Sequence, residues 1–469
     1  MAASEVGDAE VRAAPASKMS RSAWSWAIYE GGRDPYLILI SVYIFVPYFT
    51  SVMVGDPVRG QSMVADYAKI AGLLVAVTAP ILGSLVDRVG GRKPLLVFVT
   101  ALMIPLIASL WWARPDGAGL SITATVLIVT AINILFVYSS VVHNALLVQA
   151  AEHHVGRASG MALALANVLG VLSLAAVLWA FVLPAKTDWS WIPAAPLLGL
   201  DEALHEPDRV VAWVAAALLA VGTVPLLLFT RDVKTTGRSV WGSFVPAVRD
   251  LAGMVPALAR DRNITVYLVA HVFVADAIGA VAMFLGIYAA GVMHWGVMQM
   301  LMFAIWQSIW AGTGGFVGGQ VDERVGSKNT LLAALAGSLI CTAGIIGMST
   351  DQILYFWSYH ATGEPLWGWL PISLPEFVFL LFSSGCVFWV AMAAAASRTL
   401  LVDITPKEHT GVYFGLYALS ATATAWLGPM LVAMFTRAYH SQQAGFIPVA
   451  VLFVLGFVGV LLVKTRRAA

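Results

Sequence analysis

Long apolar stretches alternate with short polar ones from residue 24 to residue 463. A helix that crosses a bilayer needs about 20 mostly apolar residues. Runs of that kind fall near 24–53, 63–86, 94–112, 120–150, 157–183 and 209–229, and then near 263–290, 297–321, 329–348, 374–401, 410–436 and 445–463. The pattern predicts an all-α integral membrane fold of twelve transmembrane helices, six on each side of a polar stretch at 230–262. The expected layout is a bundle over 23–230, a linker over 231–262 and a second, pseudo-symmetric bundle over 263–464. Residues 1–22 read as a disordered cytoplasmic tail and 465–469 as a basic tail.

Composition agrees with the periodicity. Of the 469 residues 59% are hydrophobic and 11% charged, against about 25% charged in a soluble domain. Charge placement tests the helix count independently. Of the 27 Lys and Arg residues, twenty fall on one side of the alternating loops and six on the other, with Arg33 inside the first run. That asymmetry satisfies the positive-inside rule with both termini cytoplasmic in the plasma (inner) membrane. The net charge of +1 gives no sign of a nucleic-acid partner. The N-terminal residues lack the apolar core and cleavage site of a signal peptide. Cys341 and Cys386 sit in apolar runs and read as helix-packing residues. Trp189, Trp191, Trp357, Trp367 and Trp369 crowd two outer loops and read as an interfacial aromatic belt. The middle loop interleaves apolar and basic residues and predicts a short helix on the inner membrane surface.

Two pairs of loops repeat in order. GSLVDRVGGRK (Gly83–Lys93) follows the second run and GGQVDERVGSK (Gly318–Lys328) the eighth; LLVQAAEHHVGRASG (Leu146–Gly160) is echoed by LLVDITPKEHTGVYFG (Leu400–Gly415). Such ordered echoes mark an internal duplication. GSLVDRVGGRK resembles the signature loop between helices 2 and 3 of the major facilitator superfamily, G-x-L-x-D-R-x-G-R-R-K, with Gly91 in place of the first basic residue. A narrower resemblance is to the bacterial relatives of the autophagy-related vacuolar effluxers. It is carried by WAIYEGGRDPY (Trp26–Tyr36), by Asn144–Leu147, by Asp276 with IYAAGV (Ile287–Val292), and by SRTLL, Pro406, FGLYALS and LGP between Ser397 and Pro429. The departures from that branch gather at Glu30, Arg33 and Asp34. The resemblance implies a transporter of small metabolites such as amino acids.

A charge inside the bilayer costs about 2.5–3.5 kcal/mol on insertion scales, so each needs a reason. Glu30, Arg33 and Asp34 share one face of the first helix, and Gly31, Gly32 and Pro35 between them predict a locally loosened helix. Asp276 stands near the middle of the seventh run with no basic residue within a turn, which suits a group that picks up and releases a proton. His271, five residues earlier, points elsewhere around the helix. His143, Asn144, Gln299 and Gln307 are polar groups that either face a cavity or bond across helices. Arg398 is a candidate for an anionic group, with snorkelling as the alternative. Substrate or ion binding is therefore expected at Asp276, Glu30, Arg33, Asp34, Asn144, Gln307, Arg398 and His271.

Asp87, Arg88, Arg92 and Lys93, with Asp322 and Arg324 in the second copy, form a separate gating group. In the superfamily this loop is a conformational latch, because a carboxylate beside the N-terminus of a helix from the other half is stabilised in one state only. The helix starting after Thr410 is the expected partner of Asp87, and the helix starting near Gly156 that of Asp322. GTGGFVGG (Gly312–Gly319) mimics a phosphate loop but follows no strand and lacks its lysine, so close helix packing explains it better. No catalytic constellation, cofactor motif or metal spacing is present in the sequence. The expected function is a monomeric secondary transporter moving a small solute by alternating access, coupled to a proton. The alternatives are a cation-coupled sugar symporter of the melibiose-permease type and a non-transporting receptor or scaffold.

Overall fold

The computed structural model describes residues 18–465 apart from 56, 153, 185–189, 235, 240–241, 250–260, 296, 360–372, 407–409 and 423. Residues 1–17 of the tail predicted at 1–22, and the indoles of Trp189, Trp367 and Trp369, lie outside the described residues, while Arg21 and Ser22 already belong to the first helix. Helix α1 (Arg21–Arg33) starts where the Ser20 hydroxyl accepts from the Ala23 amide at 3.1 Å. It stays regular through Gly31 and Gly32. The irregularity comes after Asp34, where the chain winds into two wide turns with i→i+5 bonding, Leu37–Tyr43 and Phe49–Met53. Pro35 has no amide to offer the carbonyl of Gly31, which accounts for the break. The two glycines serve packing instead. A Cβ on Gly32 would stand 2.7 Å from the Leu218 carbonyl oxygen, and one on Gly31 would press on Leu165 and Leu169.

Helix α2 (Pro57–Val89) ends at Gly90 and Gly91, both at positive φ, and the chain turns at once into α3 (Arg92–Ser109). Then come α4 (Ile122–Ala151), α5 (Val155–Val177) and α6 (Val211–Phe229). The second half holds α7 (Arg262–Gly291), α8 (Val297–Val325), α9 (Ser327–Ile346) and α10 (Leu374–Ile404). It closes with α11 (Thr410–Thr422), α12 (Leu427–Tyr439) and α13 (Ile447–Leu461). Nine helical stretches among the described residues are long and apolar enough to cross a membrane. The predicted runs at 24–53, 297–321 and 410–436 are not among the nine. They form α1 with its wide turns, the glycine-rich α8, and α11 with α12, between which regular helix stops. Many apolar side chains face outward, Leu73, Val77, Val221 and Ile340 among them, as lipid contact requires.

Helix α1 packs on α5 and α6, α3 on α4 and α6, and α2 on α4; α10 lies against α8 and α9, and α13 against α7 and α9. Between these sets the main crossings are α5 with α8 and α2 with α11. Both are built on the repeated glycines. A Cβ on Gly415 would stand 2.7 Å from the Ala79 oxygen, and one on Gly319 would stand 2.6 Å from the Gly156 oxygen. Small residues let backbones meet, and dispersion then holds helices that gain nothing from leaving lipid. The GTGGFVGG stretch divides its glycines between neighbours: Gly315 and Gly319 face α5, while Gly314 and Gly318 face α10.

The linker carries a helix at 242–249 whose Ala247 oxygen accepts from the Ser84 hydroxyl at 3.0 Å, leaving Phe244 and Val245 exposed. One feature unforeseen in the sequence is a small antiparallel hairpin pairing Gln352–Ile353 with Trp357–Ser358.

Candidate functional site

Four charged side chains meet where α1 faces α10. The Arg398 Nη1 donates to both carboxylate oxygens of Glu30, at 2.9 and 2.8 Å, and its Nη2 donates to the Ser159 carbonyl of α5 at 3.3 Å. Glu30 and Arg398 are 5% and 7% exposed, so the pair is desolvated and joins the two halves of the chain. Arg33 is held within the first half. It bonds Asp34 Oδ1 at 2.9 and 3.1 Å and the Ser140 hydroxyl at 3.0 Å, and it lies over the Phe136 ring at 4.5 Å, with Glu30 at 3.9 Å. The predicted trio on α1 is therefore a quartet. One sign of this was available: two carboxylates and one guanidinium on a single helix leave a charge to be balanced from elsewhere. Asp34, Ser140, Asn144 and Tyr417 keep partial exposure around the cluster, and Asn144 makes no side-chain hydrogen bond among the described residues.

Beside this cluster His143 and Trp26 lock α4 to α1. The indole donates to the His143 carbonyl at 2.8 Å, the imidazole Nε2 meets the Trp26 carbonyl at 2.9 Å, and the rings stack 4.2 Å apart. His143 thus has a structural use.

Asp276 is 3% exposed, and neither carboxylate oxygen has a hydrogen-bond partner among the described residues. Its polar neighbour is Thr424, beyond the end of α11, and Gly428 of α12 packs against its backbone. His271 turns away from it, bonding Ser420 Oγ at 2.7 Å and stacking on Tyr417 at 3.8 Å. Gln307 donates to the Ser383 hydroxyl at 2.9 Å, within the second half. The Gln299 side chain lies outside the described residues. The candidates thus divide among separate places: the quartet, Asp276, His271 and Gln307.

The repeated loops gather at one end of the helices. Asp87 accepts from the amides of Gly411 and Val412 at the start of α11, both at 2.9 Å, and from Arg92 Nη2 at 3.1 Å. Arg92 also donates to the Gln149 oxygen at 2.7 Å. Asp232 of the linker, missed in the sequence, receives the amides of Arg92 and Lys93 at 3.0 and 2.9 Å, capping α3. Lys93 Nζ reaches the Thr230 carbonyl at the end of α6, and Lys328 Nζ reaches Leu461 and Val463 carbonyls at the end of α13. The two copies thus share their lysine contact. The Arg88 carbonyl accepts from the Thr236 hydroxyl at 2.9 Å.

The second copy of the loop brings two neighbouring carboxylates to the other half. Asp322 stands against Gly156 and accepts from the Thr399 hydroxyl at 2.5 Å. Its neighbour Glu323 adds contacts to this side: Arg157 Nε at 2.6 Å, the Arg157 amide at 3.3 Å and His154 Nδ1 at 3.1 Å. Arg324 is exposed and has no ion pair among the described residues.

The family model described as "Vacuole effluxer Atg22 like" matches residues 157–469. The chain belongs to this Atg22-like family. An uncharacterised MFS-type transporter of Bacillus subtilis, YxiO, is 21% identical over 92% of this chain and 92% of its own length. Autophagy-related protein 22-2 of Emericella nidulans is 26% identical over 47% of this chain and 36% of its own. In fold the chain is similar to the major facilitator superfamily transporter FucP in its outward conformation, with a TM-score of 0.69, 12% identity and coverage of 95% and 98%. This Atg22-like protein is accordingly a multi-pass membrane protein of the major facilitator fold. The matched segment includes Asp276, Asp322 and Arg398; the α1 charges lie before it.

Proposed function

We propose that this secondary active transporter moves a small solute by alternating access, and that the structure is the state closed at its motif-bearing, cytoplasmic end. In this reading twelve spans form two six-helix bundles, 23–230 and 263–464, in the inner membrane, and the protein acts as a monomer. The carrying observation is where the halves touch. Among the described residues the polar contacts between them include Asp87 with α11, Glu323 with α5, Ser159 with Ala395, and Arg398 with Glu30 and the Ser159 carbonyl, all toward the end that holds the repeated loops. FucP, similar in fold, is described in an outward conformation and as a fucose:proton symporter. Proton coupling is assigned to Asp276, whose buried carboxylate has no countercharge among the described residues and is tolerated when neutral.

Counterflow in proteoliposomes loaded with a broad panel of small solutes tests this. Exchange of at least one solute is expected, with accumulation driven by a pH gradient. Asp276→Asn is expected to keep exchange and lose gradient-driven accumulation. Absence of exchange across the panel defeats the transporter reading; unaltered accumulation in the variant removes Asp276 from coupling.

A further inference from the structure

The two buried guanidiniums are satisfied in different ways. All of Arg33's partners, namely Asp34, Ser140, the Phe136 ring and Glu30, belong to the first half, so they stay with it whichever way the halves rock. Arg398 sits on the second half, and its one carboxylate partner among the described residues, Glu30, sits on the first. Its remaining contact is a carbonyl, also from the first half, at 3.3 Å. When the halves part at this end, Arg398 loses every partner named here. A buried guanidinium without a counter-ion is costly, so something must take Glu30's place.

We propose that Arg398 binds an anionic group of the solute, of the carboxylate class, and that Glu30 holds this place until it is protonated. The inference rests on the transporter reading and adds to it a substrate class and a second proton-taking carboxylate beside Asp276. Charge balance supplies the coupling. Glu30 and Asp34 offset Arg33 and Arg398, so the quartet is neutral. A solute anion arriving beside an ionised Glu30 would leave the site with one excess negative charge in a desolvated place. A proton added to the Glu30 carboxylate cancels that charge and frees Nη1 of Arg398. Anion and proton therefore bind together. The other groups facing Glu30 are Arg33 and Asp34 on α1, His143 on α4 and Tyr417 on α11. His143 is already bonded through Nε2 to the Trp26 carbonyl, and the Tyr417 hydroxyl bonds Ser397. The Ser140 and Tyr417 hydroxyls already donate to the Phe136 carbonyl and to Ser397, whereas half-buried Asn144 keeps an amide with no side-chain hydrogen bond among the described residues.

The test is thermal stabilisation of the purified full chain by propionate and lactate, each matched with its amide, at about pH 5.5 and about pH 7.5. Wild type is expected to prefer carboxylate over amide, and more strongly at the lower pH. Glu30→Gln is expected to bind the carboxylates on the order of tenfold tighter at the higher pH, and, in an Asp276→Asn background, to lose the pH dependence. Arg398→Gln is expected to erase the preference and Arg398→Lys to restore part of it. Asp276→Asn should keep the preference, which separates this site from the coupling assigned to Asp276. Equal response to acid and amide in the wild type overturns the proposal, as does a pH dependence of carboxylate binding that survives Glu30→Gln in the Asp276→Asn background. Should the variants fail to fold, the wild-type comparison decides alone. Counterflow of neutral solutes without carboxylate selectivity would leave the transporter reading standing and this one defeated.

Discussion

Within the charge quartet, Glu30 and Arg398 are expected to depend on each other for stability. Removing one partner of a buried ion pair costs about 3–5 kcal/mol, because the other charge is left uncompensated. Arg398→Ala is expected to lower thermal stability by about 3 kcal/mol, since Glu30 then keeps only Arg33, 3.9 Å away. Adding Glu30→Gln to that variant should recover part of the loss, and melting of both variants in detergent measures the coupling. If the double variant is as unstable as the sum of the singles, the pair is not energetically linked. The sequence made these charges conspicuous by their cost in the bilayer. It did not reveal that Arg398 closes on Glu30, because the two are 368 residues apart and Arg33 offered a nearer partner. Glu323 and Asp232 escaped for a related reason: an acidic residue in a polar loop carries no signal until a helix end arrives beside it.

Among the helices, the crossings of α5 with α8 and α2 with α11 set how closely the halves can approach. The G-x-x-x-G pairs Gly156–Gly160 and Gly411–Gly415 were legible as repeats, and their partners on α8 and α2 follow from the duplication. A loosening of α1 was predicted across Gly31, Gly32 and Pro35; it follows Pro35 and spares the two glycines, because backbone freedom is overridden where a neighbouring helix fills the space beside them. The hairpin at Gln352–Ser358 carried no apolar period and left no trace in the pattern. A side chain at a glycine crossing should act as a wedge. Gly319→Val places its Cβ 2.6 Å from the Gly156 oxygen, so α5 and α8 cannot close. The expected result is access to Ser159, which is fully buried here. Maleimide labelling of Ser159→Cys, with Cys341 and Cys386 replaced by serine, reads this out. Labelling no faster than without the wedge would show that the crossing yields without opening the closed end.

For the whole molecule, the two copies of the signature loop are expected to hold the same end closed with unequal redundancy. Asp87 alone receives both α11 amides, and the charge-assisted bonds lie at a helix N-terminus where a carboxylate is favoured. On the other side the work is shared: Asp322 takes Thr399 beside Gly156, while Glu323 takes the Arg157 amide, its guanidinium and His154. Neutralising Asp87 therefore removes the ionic part of one whole latch, whereas neutralising Asp322 leaves Glu323 in place. A hydrogen bond to a charged group contributes about 1.5–3 kcal/mol, and about 1.4 kcal/mol is a factor of ten in an equilibrium constant. Asp87→Asn should thus shift the balance between states roughly tenfold away from closure at this end. Asp322→Asn should shift it by less. Spin labels at Arg238→Cys and Asn329→Cys, both exposed near this end, would report the change as a longer-distance population. The ordering of the two variants carries the argument. Equal shifts would mean that the halves are latched symmetrically and that Glu323 adds nothing. A larger shift for Asp322→Asn would move the main latch to the second repeat, and with it the reason why the superfamily signature is better kept in the first.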